Sequence, residues 1–416
     1  MNDELLARLK SEMAYEFART APPEGFPAFH DIPGGRYTSD EFWDLEQRLL
    51  WPNVWVMACR AEDMAKPGDY QRFDDLGSPM IIVRGRDGEL RAYYNTCQHR
   101  GAPVVRDRSG SARQLRCQYH SWTYDIDTGT LVSVPDERDF VGLDKEQRCL
   151  PTLRCQVWDG WVFVNQNPDA KPLVDYLGPV ADQLGEMGGT ELVEVSRRSE
   201  VVDCNWKVMA EGFLEVYHFR HIHSRNGDSL LDNRGATMGL LPGGHSRMVT
   251  PFSKASYEAF GMAHWSDWQH RVVPGFVDIP SVNSMIRSTS SAYSIFPNLI
   301  TPLASYGFPF LLFWPLAKDR TRLDWIHFAP KDWDGDELPE HWQRRMDTFD
   351  LIMEEDTRNL GPMQRSLESP ALRGIPINYQ ERRIWHLHEE IDRTIGVARI
   401  PEHLRVRQVL APYVES

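Results

Sequence analysis

Four residues set the terms on which this chain can fold. Cys97 and His99 form one pair, and Cys117 and His120 form another after seventeen intervening residues. The pattern is C-x-H followed by C-x-x-H. Thiolates and imidazoles this close within each pair, on two neighbouring loops, read as ligands of one metal centre. The order argues against zinc, which usually takes two cysteines first and two histidines second. Two loops that each offer one Cys and one His suit a two-iron cluster, with both thiolates on one iron and both imidazoles on the other. Gly101 and Pro103 follow the first pair, and Ser121 and Trp122 the second. These suit tight loops at strand ends, whose main-chain N–H groups can hydrogen-bond the cluster sulfurs.

A 2Fe–2S cluster ligated in this way is of the Rieske type, with a potential of about −150 to +300 mV. The flanking sequence fits a small all-β module. From about residue 51 to 167, β-forming runs alternate with turns such as Arg86-Asp87-Gly88 and Asp127-Thr128-Gly129. Cys59, Cys149, Cys155 and Cys204 have no histidine at ligand spacing and read as small buried hydrophobes. Residues 1–45 read as helical, and after Pro168 the pattern is mixed. Helices are expected over 174–187, from near 205, over 339–360 and over 379–393. Strands are expected over 194–203 and up to about 328, with 225–290 as an irregular insertion. The uncharged run 295–317 is long enough to span a bilayer. Its Pro297, Pro302, Pro309 and Pro315 instead predict two buried strands and their turns. No secretory signal is visible at the N-terminus, so a cytoplasmic protein is expected. A net charge of −14 leaves no basic footprint for nucleic acid.

A second group of donors follows Asn205. Glu211, Glu215 and His218 are four and three residues apart and share one face of a continuous helix. His218 and His223 are five apart, so one of them must sit at a distorted or terminating turn. Ionisable groups among apolar neighbours are costly unless paired or bound to metal. A third donor lies far along the chain. Met346, Phe349, Met353, Asp356 and Leu360 are spaced three, four, three and four, which puts Asp356 on an apolar stripe while Glu354 and Glu355 point elsewhere. Two histidines and an aspartate make the facial triad of non-heme Fe(II), with open positions for O2. Glu215-x-x-His218 also fits one arm of a di-iron carboxylate site, but the chain has no second Glu-x-x-His to complete it. His221 reads as a neighbour of the site rather than a ligand.

Together the two groups resemble the Rieske non-heme iron (ring-hydroxylating) oxygenases, at the level of the catalytic α subunit. The resemblance covers the Cys/His box and the segment from Asn205-Trp206-Lys207 through Glu211 and Glu215 to His218 and His223. It also covers Asp356-x-x-Asn359 with Gln364 beyond, and the tail 366–388 with Glu381 and Ile384. It implies an α+β fold: an all-β Rieske domain (49–167) inserted in a helix-grip catalytic domain of the StAR-related/Bet v1-like type. That domain (168–416) has a central antiparallel sheet, and the helical segment 1–48 belongs to it. The resemblance implies one 2Fe–2S cluster and one mononuclear Fe(II) per chain, the latter on His218, His223 and Asp356. It implies catalytic roles for Glu215 and Asn205, with Glu215 bridging a cluster histidine of one subunit to His218 of the next. The implied assembly is a homotrimer, with or without a β subunit. Electrons originate in NAD(P)H, arrive through a reductase or ferredoxin, and pass along His120, Glu215 and His218. The implied reactants are O2 and a small hydrophobic substrate, aromatic or alicyclic. Oxidative demethylation or attack on a quaternary amine is the variant reading. Many relatives have Asp where this chain has Glu215, and Asn where it has Gly212.

Phe213, Leu214, Trp265, Trp268 and the strand-like run 308–314 point to a roomy apolar cavity, set against ordinary core packing for the same aromatics. A different class of function, an electron carrier or iron–sulfur sensor, needs only the first group of ligands. Iron content separates the two. An oxygenase holds about three iron atoms per chain when loaded, and a carrier about two. Asp356→Ala is expected to lower the count by about one while leaving the visible spectrum of the cluster intact. Loss of that spectrum would contradict the assignment of Asp356.

Overall fold

The computed structural model describes residues 3–223, 229–262, 273–335 and 337–415. The chain forms two compact units. One runs from Trp51 to Tyr176, and the other combines the residues up to Leu50 with those from Leu177 onward.

The smaller unit is built from the strands and turns that the turn pairs predict. Its main sheet has seven strands, in the order Val56–Arg60, Trp161–Asn165, Thr152–Trp158, Leu90–Tyr94, Met80–Arg84, Asp69–Phe73 and Ser109–Ser111. A second sheet joins Leu115–Arg116, Thr123–Tyr124 and Leu131–Ser133. The central strand Met80–Arg84 is an unbroken apolar run because both its faces are covered. Residues 168–176, grouped by the sequence with the domain that follows, pack here instead. Trp55 Nε1 donates to Lys171 O (3.0 Å) and Leu173 N to Gln156 Oε1 (2.6 Å).

The larger unit has a seven-stranded antiparallel sheet. Its order is Leu192–Val202, Arg320–Pro330, Phe308–Ala317, Leu299–Leu303, Thr289–Ile295, Ser246–Pro251 and Thr237–Leu240. The uncharged run 295–317 supplies two of these strands, and among the described residues no helix is long and apolar enough to cross a membrane. Segment 225–290 is more regular than its sequence implies, because it supplies the strands Thr237–Leu240 and Ser246–Pro251. The strand Ser246–Pro251 is wholly buried yet half polar, so no apolar alternation announces it. Its Arg247 is neutralised by Glu415 (2.7 Å) and bonded to Gln183 (2.8 Å). The long helix Glu340–Thr357 buries Met346, Phe349 and Met353, on the stripe its spacing predicts, together with Trp342.

One short helix, Trp206–Gly212, ties this unit together, and Trp206 through Glu211 are all buried. Asn205 caps it: Oδ1 accepts from Lys207 N (3.1 Å) and Nδ2 donates to Lys318 O (2.7 Å). Lys207 Nζ meets Glu46 Oε1 at 2.7 Å with both side chains fully buried, ringed by Tyr37, Phe42 and Trp206. Glu211 Oε1 accepts from Tyr37 Oη (2.8 Å) and lies 2.8 Å from His388 Nε2. His388 Nδ1 accepts from Arg36 Nε (2.9 Å), and Arg36 pairs with Asp392 (2.7 Å). The Arg36 bond fixes the His388 proton on Nε2, where it is donated to Glu211.

Removing one partner of a buried pair leaves the other charge uncompensated. Lys207→Met is therefore expected to lower unfolding stability by about 3–5 kcal/mol in a urea titration. The double variant with Glu46→Leu should recover most of that loss. A single variant as stable as the wild type would show that the pair does not organise this helix.

Candidate metal centres

The two cysteine–histidine loops share one backbone plan. In the first, Cys97 N donates to Ala102 O and Gly101 N to Cys97 O, both at 2.9 Å. In the second, Cys117 N donates to Trp122 O and Ser121 N to Cys117 O, again at 2.9 Å. Each loop closes through a residue with positive φ, Gly101 at 75° and Ser121 at 61°. Glycine takes that conformation freely, while Ser121 adopts it within the closed turn, its Oγ accepting from Arg116 Nη2 (2.8 Å). The sulfurs end up inside and the imidazoles at the tip. Cys97 and Cys117 are 3% and 1% exposed, while His99 and His120 are partly exposed with ring centroids 4.7 Å apart. Trp122 stacks on His99 at 4.8 Å.

These residues fit a Rieske cluster. His99 Nδ1 is buried without a hydrogen-bond partner, as a ligating nitrogen would be. Burial raises the Cys97 thiol and the adjacent Cys117 adds to the rise, so two thiolates here call for positive charge between them. The sequence reading missed Tyr124, which is fully buried. Its hydroxyl accepts from Gln98 N (2.9 Å), so its proton is free to be donated to Cys97 Sγ at 3.3 Å. No local spacing signals this contact, because Tyr124 comes from the opposite loop's strand.

The second site forms where the helix Trp206–Gly212 stops. The sequence reading placed Glu211, Glu215 and His218 on one continuous helical face. The helix instead ends at Gly212, and Glu215 lies in the connecting turn. Glu215 still reaches His218, accepting from its Nδ1 and from the backbone N–H of Tyr217 and His218. The four-residue helix Phe219–Ile222 has His218 at its N-cap and His223 at its C-cap. Both histidines sit at terminating turns, which lets residues five apart face one point.

Both Nε2 atoms are buried without a hydrogen-bond partner. Donation from Nδ1 to a carboxylate fixes each neutral ring with a bare Nε2 lone pair. His218 donates to Glu215, and His223 to Glu355 Oε2 at 2.8 Å. The two bare nitrogens converge on Asp356 Oδ1, at 3.6 Å from His218 and 2.9 Å from His223. Ligand atoms of His218, His223 and Asp356 all lie within 4.8 Å of one another. Two lone pairs and a carboxylate facing each other need a cation. Burial opposes a charged His223, yet Asp356 and Glu355 raise its pKa, which reports the same need. The donor set is that of a two-histidine, one-carboxylate iron site.

Glu355 corrects the expectation that it points elsewhere. It sits beside Asp356 in sequence but turns to orient a ligating histidine, as carboxylates commonly do. Asn205, expected at the chemistry, is committed to capping, and its backbone N donates to Gln364 Oε1 (2.9 Å). Glu211 faces Tyr37 and His388 rather than the metal ligands, and burial pushes its carboxyl up to about 8 against the Tyr37 hydrogen bond. A cavity of about 210 Å³ adjoins His218 and Asp356, lined by Met209, Phe213, Ile222 and Leu360 among others. Gly212 opens onto it, with no atom within 4 Å of where a Cβ would stand. Leu214 is buried, the strand Phe308–Ala317 is mainly sheet core, and Trp265 and Trp268 lie outside the described residues.

Two family models match the chain. Residues 189–396 match the ring hydroxylating alpha subunit (catalytic domain), and residues 54–154 match the Rieske [2Fe-2S] domain. The alpha subunit of 2-aminobenzenesulfonate 2,3-dioxygenase from Alcaligenes sp is 28% identical over 266 residues, which is 63% of this chain and 65% of that protein. The carnitine monooxygenase oxygenase subunit of Acinetobacter baumannii is 29% identical over 214 residues, 50% of this chain and 57% of that one. The match thus spans less than two thirds of either relative. Among solved structures, the quaternary ammonium Rieske monooxygenase CntA with an inhibitor has a TM-score of 0.73 at 21% identity, covering 91% of this chain and 100% of that one. Naphthalene 1,2-dioxygenase from Rhodococcus sp. has a TM-score of 0.69 at 21% identity, with 96% and 100% covered. At this identity the likeness is one of fold, an α+β architecture with a curved antiparallel sheet.

Tyr124 provides a test of the cluster site. A hydrogen bond donated to a cluster sulfur stabilises the more negative, reduced state and so raises the potential. Tyr124→Phe is expected to lower the midpoint by roughly 60–130 mV, the equivalent of one hydrogen bond to a charged group. Spectroelectrochemical titration would measure it, and an unchanged midpoint would remove Tyr124 from the site.

Proposed function

Because the chain belongs to the family of ring-hydroxylating alpha subunits that carry a Rieske domain, we propose that it is a terminal oxygenase component. It uses O2 and electrons originating in NAD(P)H to hydroxylate a small, largely hydrophobic substrate. One observation carries this reading: the chain holds both a Cys/His cluster box and a second set of bare, converging donors on His218, His223 and Asp356. A carrier or sensor has no use for the second set. When bound, the cluster supplies electrons one at a time, and the mononuclear iron supplies O2 activation.

The chain's own residues do the positioning. Glu215 and Glu355 hold the two imidazoles in the tautomer that leaves Nε2 bare, and Asp356 provides the charge. The apolar walls around Met209, Phe213 and Leu360 keep water from the substrate's reacting end. The partly exposed edge of His120, whose ring is tilted against that of Tyr119 at 3.8 Å, would be the exit for electrons. In a homotrimer Glu215 would link that exit to His218 of the next subunit. A reductase or ferredoxin is the donor. The variant reading, oxidative attack on a quaternary amine, draws on Glu215 in place of Asp and on the carnitine monooxygenase relatives. Glu381 in the cavity wall would suit a cationic group there.

Reconstitution with NADH and a generic reductase, scored as O2 uptake across aromatics and amines, should show substrate-dependent consumption. Glu215→Gln should slow product formation in single turnover by at least about tenfold while both metals stay bound. An unchanged single-turnover rate would reject Glu215 as the bridge.

A further inference from the structure

A second cavity, of about 450 Å³, lies between the sheet and the first half of the long helix Glu340–Thr357. Its walls are largely apolar. Among the described residues its charged and imidazole groups are all basic, three arginines and two histidines, with no Asp or Glu, in a chain of net charge −14. Two of the arginines are committed, Arg287 to Asp278 and Arg344 to Glu340. Arg345 is not. Its guanidinium lies over the rings of Phe349 (5.6 Å) and Tyr306 (5.9 Å), and among the described residues it meets no carboxylate.

His327 lines the same space from the strand Arg320–Pro330. It is 4% exposed, and both its ring nitrogens are buried without a hydrogen-bond partner. Burial, reinforced by Arg345, holds its pKa down at about 3, so at neutral pH it is an uncharged ring with an idle N–H donor. His341 Nε2 is likewise buried and unpartnered. Idle donors inside a protein are rare unless a ligand or an ion uses them. Apolar walls, an unpaired arginine, idle N–H groups and no acid are together complementary to an anion carried on an apolar body.

We propose that this cavity binds the carboxylate or sulfonate of an organic-acid substrate, with Arg345 as its ion-pair partner and His327 as a hydrogen-bond donor. The arginine fork matches the paired oxygens of such a group. The inference rests on the oxygenase reading for the fate of the molecule, since Arg345 and Asp356 share one helix. They lie eleven residues apart, three turns and roughly 16 Å along its axis, and so on the same side. A substrate held at Arg345 and oxidised beside Asp356 would therefore have to be elongated, with its oxidised carbon at the end remote from the acid. Arg345 and His327 set specificity; they do not touch the reacting atoms.

The probes are 4-phenylbutyrate, 4-phenylbutanol and 4-phenylbutylamine, which share a body and differ in head charge. They are titrated calorimetrically into the iron-loaded full chain. The acid should bind at least about tenfold more tightly than the alcohol, and the amine no better than the alcohol. Arg345→Met should erase that preference, and Arg345→Lys should restore part of it, with the cluster spectrum reporting an intact fold throughout. An acid that binds no better than the alcohol, or that binds the Met variant as well as wild type, overturns the proposal. Asp356→Ala should retain acid binding while losing turnover. A failure of the oxygenase reading would thus appear in turnover alone, and a failure of this inference in binding alone.

Discussion

The larger unit depends on a helix of seven residues that is buried on every side and yet carries two ionisable side chains. Lys207 and Glu211 in Trp206–Gly212 have no water to solvate them, so each must find its partner in protein. Lys207 finds Glu46, and Glu211 finds Tyr37 and His388. Those partners lie before the inserted β unit and near the end of the chain. The helix is therefore where the two ends of the larger unit are brought together. Buried pairs of this kind add little stability over apolar side chains of equal volume. What they do is penalise every other placement, because any shift of the helix strands a charge. The turn that follows, which carries Glu215, His218 and His223, then starts from a fixed base.

Both metal centres use the same device, a backbone that stops being regular where a donor must turn inward. The cluster loops close through positive φ at Gly101 and Ser121. The iron site begins at the end of a helix and places its histidines at the two caps of a single turn. Short irregular segments aim side chains that a continuous helix would scatter, at the cost of needing outside support. Arg116 donates to the Ser121 hydroxyl, and Glu215 and Glu355 support the histidines. In each histidine a carboxylate takes the Nδ1 proton, which makes the opposite nitrogen a ligand rather than a donor.

The ligands were legible in the sequence because spacing along the chain encodes them: C-x-H, C-x-x-H and an acid on an apolar stripe. Their supports were less so. Tyr124 meets Cys97 across two loops, and Glu355 meets His223 across 132 positions, so neither leaves a periodic mark. Glu355 was misjudged because a helical wheel assigns a face to a Cα, whereas a glutamate arm near the end of a helix can swing to the next element. Glu215 was assigned to a helix that the chain does not continue, yet the contact with His218 survived, since a turn can close three residues as well as a helix can. Segment 225–290 hid its strands because their buried positions carry Ser, Thr and Arg among the apolar residues and leave no apolar alternation to read.

The long helix Glu340–Thr357 lines two cavities of different polar character. The one beside His218 and Asp356 has Glu211, Glu215 and Glu381 in its wall, and the one beside Arg345 has no acid among the described residues. At low dielectric such an asymmetry is a strong orienting field for a charged ligand. On the proposed reading an anionic head is drawn to the arginine end, which favours one sense of entry for a molecule with one acidic head. On that reading the uncharged tail, and not the acid, would face His218 and His223. The same orientation would also keep a competing carboxylate from the metal's open positions, which a hard oxygen ligand would otherwise fill. The charge on the cavity walls then selects substrate and protects the site by the same means.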